Sequence, residues 1–195
     1  MKIGLFGGSF DPVHYGHLLV AQAAREEIGL SRIFFILAAQ SPFKTDSKPA
    51  PAPERLRLLR LALAGDASAE VDDQEIQRGG VSFTIDTVRH YKKNFPTAEL
   101  FYLIGADQSG QLAKWREAEE LARSVEFVIV PRPGEPEPRL ASPFRVRTLR
   151  GFQSGLSSVE IRARCRAGFP IDHLTPPAVA EAIRNYRLYL PEKIG

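Results

Sequence analysis

Short apolar runs alternate along the chain with longer stretches in which apolar residues recur every three or four positions. The runs predict buried strands, because several Ile, Val, Leu and Phe residues in succession suit a sheet that is covered on both faces. The longer stretches have the period of helices. We expect strands at 2–6, 32–38, 99–104 and 125–130, a weaker strand at 145–149, and helices at 17–28, 53–64, 84–94, 117–122, 158–167 and 177–186.

This alternation predicts an α/β fold with a doubly wound parallel sheet in a single domain. Ligands of such sheets bind beyond the carboxyl ends of the strands. Two proline-rich segments, 40–53 and 131–143, break the pattern and predict loops. A loop at that end of a sheet serves either as a lid or as a plain surface connection, and the sequence leaves both open.

Composition and charge exclude several classes of protein. With 195 residues, 44% of them hydrophobic and 25% charged, the chain has the composition of a globular domain and not of a disordered one. No apolar run approaches the roughly 20 residues that span a bilayer, and the first residues lack the layout of a signal peptide. Cys165 is the only cysteine, which excludes an intramolecular disulfide and a Cys-rich zinc site. We expect a cytoplasmic protein that does not bind a membrane.

The last third of the chain is basic, with 11 Lys and Arg against 6 Asp and Glu in residues 131–195. A basic region attracts phosphate, either of nucleic acid or of a small nucleotide. The tail lacks the interleaved aromatic and basic residues of an RNA-binding surface. We therefore expect no nucleic-acid partner.

The strongest chemical signal lies at residues 7–17, which read Gly-Gly-Ser-Phe-Asp-Pro-Val-His-Tyr-Gly-His directly after the first strand. Gly7 and Gly8 lack a Cβ and so permit a close approach to the backbone. His14 and His17, three residues apart, share a helical face. Backbone amides at a helix start hold an anion and imidazoles reach a charge that moves, so the pattern suits a triphosphate.

This string resembles the signature Gly-Gly-x-Phe-Asp-Pro-x-His-x-Gly-His of the nucleotidyltransferase superfamily, without a departure. The resemblance implies a Rossmann-like nucleotidyltransferase domain over residues 1–195, with a small helical subregion at about 150–195. It implies that His14 and His17 are catalytic and act on the α-phosphate and its bridging oxygen. The ATP-binding residues that it implies in this motif are Gly7, Gly8, Ser9, Phe10, His14 and His17.

Two further segments resemble one branch of that superfamily, the nicotinate-nucleotide adenylyltransferases. They are Ile-Gly-Ala-Asp at 104–107, followed by Lys-Trp at 114–115, and Ser-Phe-Thr-Ile-Asp-Thr at 82–87. A carboxylate at a strand end suits a ribose diol, and a lone tryptophan either stacks on a flat ring or belongs to the core. The resemblance implies an ATP ribose site at Gly105 and Asp107. It implies a nicotinate mononucleotide site at Gly8, Ser9, Lys44, Thr84 and Trp115.

Hydroxyl residues begin two of the predicted helices. Ser82 and Thr87 suit caps for the helix at 84–94. Ser157 and Ser158 suit a cap for the helix at 158–167, where Arg162 lies one turn in and completes a phosphate site. This second segment resembles the family motif Ile-Ser-Ser-Thr-x-Ile-Arg, with valine at 159 in place of threonine, and implies ATP contacts for Ser157, Ser158 and Arg162.

Each proline-rich segment contains one residue to which the resemblance gives a role. Lys44 is implied to be catalytic, meeting phosphate nearest the acceptor, although Phe43 replaces the family's histidine. Arg132, in Arg-Pro-Gly, is implied to contact adenine or phosphate. Both residues are therefore expected beside the nucleotide.

The resemblance implies transfer of AMP from ATP to nicotinate mononucleotide, giving nicotinate adenine dinucleotide and pyrophosphate. Mg²⁺ would arrive with ATP, because the sequence contains no evident carboxylate cage, and no organic cofactor is expected. The partners would be these two small molecules. A homo-oligomer stays open, as does the preference for nicotinate over nicotinamide mononucleotide.

Other interpretations remain at this point. Pantetheine-phosphate adenylyltransferases and cytidylyltransferases share the first motif, but lack the segments at 82–87 and 104–107. A nucleotide sensor on the same fold, and an RNA-binding module that uses the basic tail, are rivals from other classes. A metal hydrolase using Asp11, His14 and His17 is allowed by ligand type, but the sequence lacks a second carboxylate cluster.

Overall fold

Six parallel strands form one sheet in this computed structural model, which describes residues 1–39, 49–131, 133, 143–152 and 154–191. The strand order is β3-β2-β1-β4-β5-β6, and every neighbouring pair is parallel. The strands are β1 (Lys2–Gly8), β2 (Arg32–Leu37), β3 (Ala69–Asp72), β4 (Glu99–Gly105), β5 (Glu126–Val130) and β6 (Val146–Thr148). The predicted α/β fold with a doubly wound parallel sheet is confirmed.

Helices connect the strands and cover the sheet. They are α1 (Tyr15–Ile28), α2 (Ala52–Ala62), α3 (Gln74–Arg78), α4 (Thr84–Asn94), α5 (Ala106–Ser109), a 3-10 helix (Leu112–Lys114), α6 (Ala118–Ser124), α7 (Ser158–Arg166) and α8 (Pro177–Asn185). None of the helices within the described ranges is long and apolar enough to cross a membrane.

The core consists of two clusters, one on each face of the sheet. Alternate residues of β4 serve them, since Phe101 and Leu103 belong to one cluster while Tyr102 and Ile104 belong to the other. Burial on both faces explains why the strands read as unbroken apolar runs. The helices α7 and α8 pack into the same cluster as α1 and α2, so the C-terminal helices are joined to the sheet by a continuous core.

The candidate active-site segments lie at the carboxyl ends of the central strands. The strand order reverses between β1 and β4, which are neighbours through Phe6 and Leu103. Gly8, at the carboxyl end of β1, lies beside Leu37 at the end of β2. In open parallel sheets the crevice at such a reversal is the usual ligand site. Here it is bounded by the motif after β1 and by the segment after β4.

The longer predicted elements agree with the structure, and the differences fall on short or polar ones. Strand β3 was not predicted, because the Ala-Glu-Val-Asp run of this edge strand is polar. Helices α3 and α5 and the 3-10 helix, with three to five residues each, are too short to show a period. The predicted loop at 40–53 ends earlier than expected, since α2 begins at Ala52 with a proline in its first turn. Residues 40–48 lie outside the described part of the chain.

Candidate active site

The two glycines that end β1 are required by protein atoms. A Cβ on Gly7 would lie 2.5 Å from the Tyr102 hydroxyl, and one on Gly8 would lie 3.0 Å from the Phe10 ring. The absence of a Cβ at these two positions is therefore explained by protein packing, and the nucleotide contacts expected for Gly7 and Gly8 stay a prediction. Phe10 is 2% exposed and packs against Phe35, so its ring belongs to the core.

This close contact makes Gly7→Ala a sensitive probe. We expect it to lower the free energy of unfolding by about 1–3 kcal/mol, because Tyr102 is buried and packed and cannot move aside freely. In a Tyr102→Phe background the cost should largely disappear, since the next ring atom lies 3.4 Å away. Urea unfolding of wild type, the two single variants and the double variant measures these free energies. Gly110→Ala, where nothing lies within 4 Å, is the control, and equal costs in both backgrounds would contradict the geometry.

The motif turn presents the two histidines as a stacked pair. His14 precedes the first residue of α1 and His17 lies in its first turn, with ring centroids 3.7 Å apart. The backbone amide of His14 donates to Nδ1 of His17 at 3.2 Å. A neutral imidazole that accepts at Nδ1 carries its hydrogen on Nε2. His17 is therefore oriented as a hydrogen-bond donor through Nε2.

The two histidines differ in environment. His14 is 5% exposed, and burial lowers its pKa to about 4. Its Nδ1 atom is buried and has no hydrogen-bond partner among the described residues. The residue before the second histidine must be glycine, because a Cβ on Gly16 would lie 2.9 Å from the His14 ring. His14 is thus a neutral imidazole at pH 7.

The lowered pKa predicts how stability depends on pH. The unfolded chain binds a proton at this histidine below about pH 6.5, whereas the folded protein binds it only near pH 4, so stability is lost as the pH falls through that window. We expect wild type to lose up to about 3 kcal/mol more than His14→Asn over that range. Urea unfolding at several pH values measures this. The exposed His173, changed to Asn, is the control; the same pH slope in His14→Asn as in wild type would refute the assignment.

The N-terminus of α7 is joined directly to the motif loop. The Ser157 hydroxyl accepts from the Glu160 amide at 3.2 Å and so caps the helix as expected. Ser158 donates to the Pro12 carbonyl at 2.9 Å. Arg162 donates to the Asp11 carbonyl at 2.6 Å. The structure therefore brings together the histidine turn and the helix that was predicted to hold phosphate.

The Asp11 carboxylate contacts three other segments at that junction, although no role in nucleotide binding was predicted for it. Its carboxylate accepts from the Tyr189 hydroxyl at 2.8 Å and from the Ala50 amide at 3.3 Å, and lies 3.7 Å from Arg162. Burial, followed by the charge and hydrogen bond of Asp11, raises the pKa of the Tyr189 phenol. One carboxylate thus links the motif to the entry of α2 and to the chain near its C-terminal end.

Arg55 is a further residue of this junction, and the sequence did not single it out. It is 2% exposed, and its guanidinium donates to three backbone carbonyls, those of Ser9, Ala38 and Ala50, at 2.9–3.0 Å. The available signal was an arginine on the apolar face of α2, three residues before the buried Leu58. Arg55 holds the motif loop against the end of β2.

The predicted acceptor residues converge on Tyr102. The hydroxyl of Thr84, the first residue of α4, lies 3.5 Å from the Tyr102 hydroxyl, and Trp115 meets the Tyr102 ring edge-on at 6.4 Å. Trp115 also packs edge-on against Phe127, so part of this residue belongs to the core. Because Tyr102 also contacts Gly7, the pair Thr84 and Trp115 lies close to the histidine motif.

The two expected caps of α4 are wrong. Phe83 occupies the cap position without a side-chain hydrogen bond. The Ser82 hydroxyl accepts from the Ala39 amide at 3.1 Å, and the Thr87 hydroxyl donates to Glu75 at 2.5 Å. Both hydroxyls have partners in other segments, which outweigh a cap.

The remaining predicted residues divide into two groups. Gly105 ends β4 and Asp107 follows it, exposed, at the carboxyl edge of the sheet. Lys44 and Arg132 lie outside the described residues.

Known proteins resemble this chain over most of its length. The cytidylyltransferase-like family matches residues 5–164. The "Probable nicotinate-nucleotide adenylyltransferase" of Opitutus terrae is 41% identical over 99% of this chain and 100% of its own length. A protein with the same description from Thermus thermophilus is also 41% identical, over 97% of this chain and 100% of its own length.

The fold is also found among solved structures. Plasmodium falciparum nicotinic acid mononucleotide adenylyltransferase complexed with NaAD superposes with a TM-score of 0.78 over 96% of this chain and 97% of that one, at 19% identity. At this identity the likeness shows the fold. The family match and the sequence relatives establish that the chain belongs to the nicotinate-nucleotide adenylyltransferase family within the cytidylyltransferase-like proteins.

Proposed function

We propose that this protein transfers AMP from ATP to nicotinate mononucleotide, a step of NAD biosynthesis. A phosphate oxygen of the mononucleotide attacks the α-phosphorus, the bond to the bridging oxygen breaks, and pyrophosphate leaves with the electron pair. The observation that carries the proposal is the junction at the end of β1. The motif loop that presents the stacked histidines is bonded at Pro12 to the N-terminus of α7, and Tyr102 lies beside its Gly7.

The histidines act on the phosphate whose bonds change. The attacking phosphate is already ionised near neutral pH, so the reaction needs charge stabilisation and alignment more than a strong base. His17 donates from Nε2 to an oxygen of the α-phosphate, in the orientation fixed by the His14 amide. His14 meets the bridging oxygen, and the approach of a polyanion favours its protonated form.

The distal phosphates belong at the start of α7. The backbone amides of its first turn, the Ser157 hydroxyl and the Arg162 nitrogens that do not bind Asp11 supply donors there. The Ser158 hydroxyl joins them by exchanging the Pro12 carbonyl for a phosphate oxygen. Val159 is 66% exposed, so its replacement of the family threonine removes a hydroxyl without disturbing the fold or the Ser157 cap. Lys44 and Arg132 are proposed to add cationic contacts to phosphate and to phosphate or adenine.

The two nucleosides occupy the crevice on either side of the reacting phosphates. Gly105 and Asp107 hold the ATP ribose. Thr84 and Trp115 hold the pyridine ring, and the backbone of Gly8 and Ser9 holds the mononucleotide phosphate. A hydroxyl and backbone amides suit a ring carboxylate without the cost of burying a second charge.

Magnesium is proposed to accompany ATP. Within the described ranges, no three His, Cys, Asp or Glu side chains gather into a metal-binding group. Mg²⁺ is commonly held by substrate phosphates and water with few protein ligands, and it neutralises charge on the leaving pyrophosphate. The protein is further proposed to work in the cytoplasm, where its nucleotide substrates occur, and without a nucleic-acid partner.

The experiment is pyrophosphate release from Mg-ATP with nicotinate mononucleotide, nicotinamide mononucleotide and phosphopantetheine, run side by side. The proposal predicts the highest kcat/KM with the nicotinate compound and loss of release when EDTA removes Mg²⁺. Release with phosphopantetheine alone would assign the sister reaction. ATP binding without release from any acceptor would favour a nucleotide sensor.

A further inference from the structure

A buried carboxyl lies behind the acceptor side of the site. Glu75, on the short helix α3, is 4% exposed. Its Oε1 accepts from the Thr87 hydroxyl at 2.5 Å. Burial raises the pKa of this carboxyl, and hydrogen bonding by the Ser82 and Thr87 hydroxyls offsets part of that increase. Ser82 in turn accepts from the Ala39 amide, just after β2. One side chain therefore ties α3, the start of α4 and the end of β2 together.

The segment between α3 and α4 begins with two glycines in the left-handed region. Gly79 and Gly80 both have φ near +70°, and a Cβ on either would meet nothing within 4 Å. Val81 is 40% exposed. Glycine pairs in open space permit many backbone conformations. The hydrogen bonds of Ser82 thus restrain where this segment enters α4, together with the β-bridge at Val81 and the packing of Phe83 on the core.

Thr84 lies between the two hydroxyls that Glu75 binds. It begins α4 and its hydroxyl points to Tyr102 at 3.5 Å. Burial raises the pKa of the Tyr102 phenol, and the charge of Glu75 adds to that increase. A shift of the α4 start would therefore move Thr84 relative to Tyr102 and Trp115.

We propose that Glu75 is a positioning residue for the acceptor site: by holding Ser82 and Thr87 on either side of Thr84, it sets the geometry in which the pyridine mononucleotide binds. This inference rests on the proposed function, because it assumes that Thr84 contacts the acceptor. Glu75 itself does not touch substrate. ATP binds on the other side of the histidine turn and depends less on this segment.

The test compares acceptor and donor affinities in three variants, Glu75→Gln, Thr87→Val and Ser82→Ala. Glu75→Gln keeps one oxygen that can accept from Thr87, but its amide nitrogen cannot accept the Ser82 hydrogen, so this variant retains the fold while weakening one link. We expect each variant to raise the KM and the Kd for nicotinate mononucleotide about three- to tenfold, the equivalent of one lost hydrogen bond. The KM for ATP should stay within about twofold of wild type. The control on the same helix is Gln77→Ala, an exposed position.

Calorimetric titration with each nucleotide separates this inference from the reaction. A rise in Kd for the acceptor alone supports the positioning role, even if the wild-type enzyme turns over a different pyridine mononucleotide, which then serves as the ligand. Unchanged acceptor affinity in Glu75→Gln and Ser82→Ala overturns it. Equal losses for acceptor and ATP also overturn it, because they indicate a general structural role.

Discussion

Replacing His17 with alanine will lower kcat about 10²- to 10³-fold, while the KM for nicotinate mononucleotide changes less than about threefold. The ring is held by the His14 amide so that Nε2 donates, and charge develops on the α-phosphate oxygens as the acceptor attacks. A donor that is fixed before the reaction costs no reorganisation when that charge appears. Removing it should therefore affect the transition state more than substrate binding.

Two matched variants make this result specific. His17→Gln can bring an amide hydrogen near the position of Nε2, so we expect it to recover part of the lost rate. His173→Ala, which changes an exposed histidine, should retain wild-type activity. Because His17 also packs edge-on against Phe10, urea unfolding must show that the variant is folded. A kcat for His17→Ala within about fivefold of wild type would remove the histidine from the chemistry.

Replacing Arg55 with methionine will produce the largest loss of stability, about 3–5 kcal/mol in the free energy of unfolding. Methionine fills similar space but leaves the carbonyls of Ser9, Ala38 and Ala50 without their buried donor. Burial lowers the pKa of Arg55, and the charge of Asp11 offsets part of that effect. The substitution therefore also removes a positive charge from beside the Asp11 carboxylate.

A second arginine in the same helix supplies the control for that measurement. Arg57→Met, on the exposed face of α2, should cost less than about 1 kcal/mol, although Arg57 pairs with Glu54 and stacks on Tyr186. Arg55→Lys should lie between the two, because one ammonium cannot reach all three carbonyls. Similar urea midpoints for Arg55→Met and Arg57→Met would contradict the proposed role.

The sequence predicted those parts of the molecule that depend on neighbours along the chain. The helix at 84–94 agrees with α4 at both ends, and strand β4 extends one residue beyond its prediction. Burial on both faces of the sheet makes a central strand such as β4 uniformly apolar, and that pattern is visible in the local sequence. Strand β3 was missed because its edge position leaves it polar.

The residues that the sequence misassigned or missed depend on distant partners. Ser82 and Thr87 resemble helix caps until Ala39 and Glu75 are placed beside them. Asp11 contacts Tyr189, 178 positions away, through a hydroxyl. Contacts between residues so far apart in the chain cannot be predicted from the sequence pattern of one segment. The motif therefore located the site, while the groups that hold its loop became visible only in three dimensions.

The most direct test of the central claim is a crystal structure with Mg²⁺ and a non-hydrolysable ATP analogue. We predict the β- and γ-phosphates at the first turn of α7, and an α-phosphate oxygen within about 3.2 Å of Nε2 of His17. The ribose should lie at Asp107. A triphosphate bound away from the junction of His14, His17 and Ser158, with this turn empty, would contradict the account.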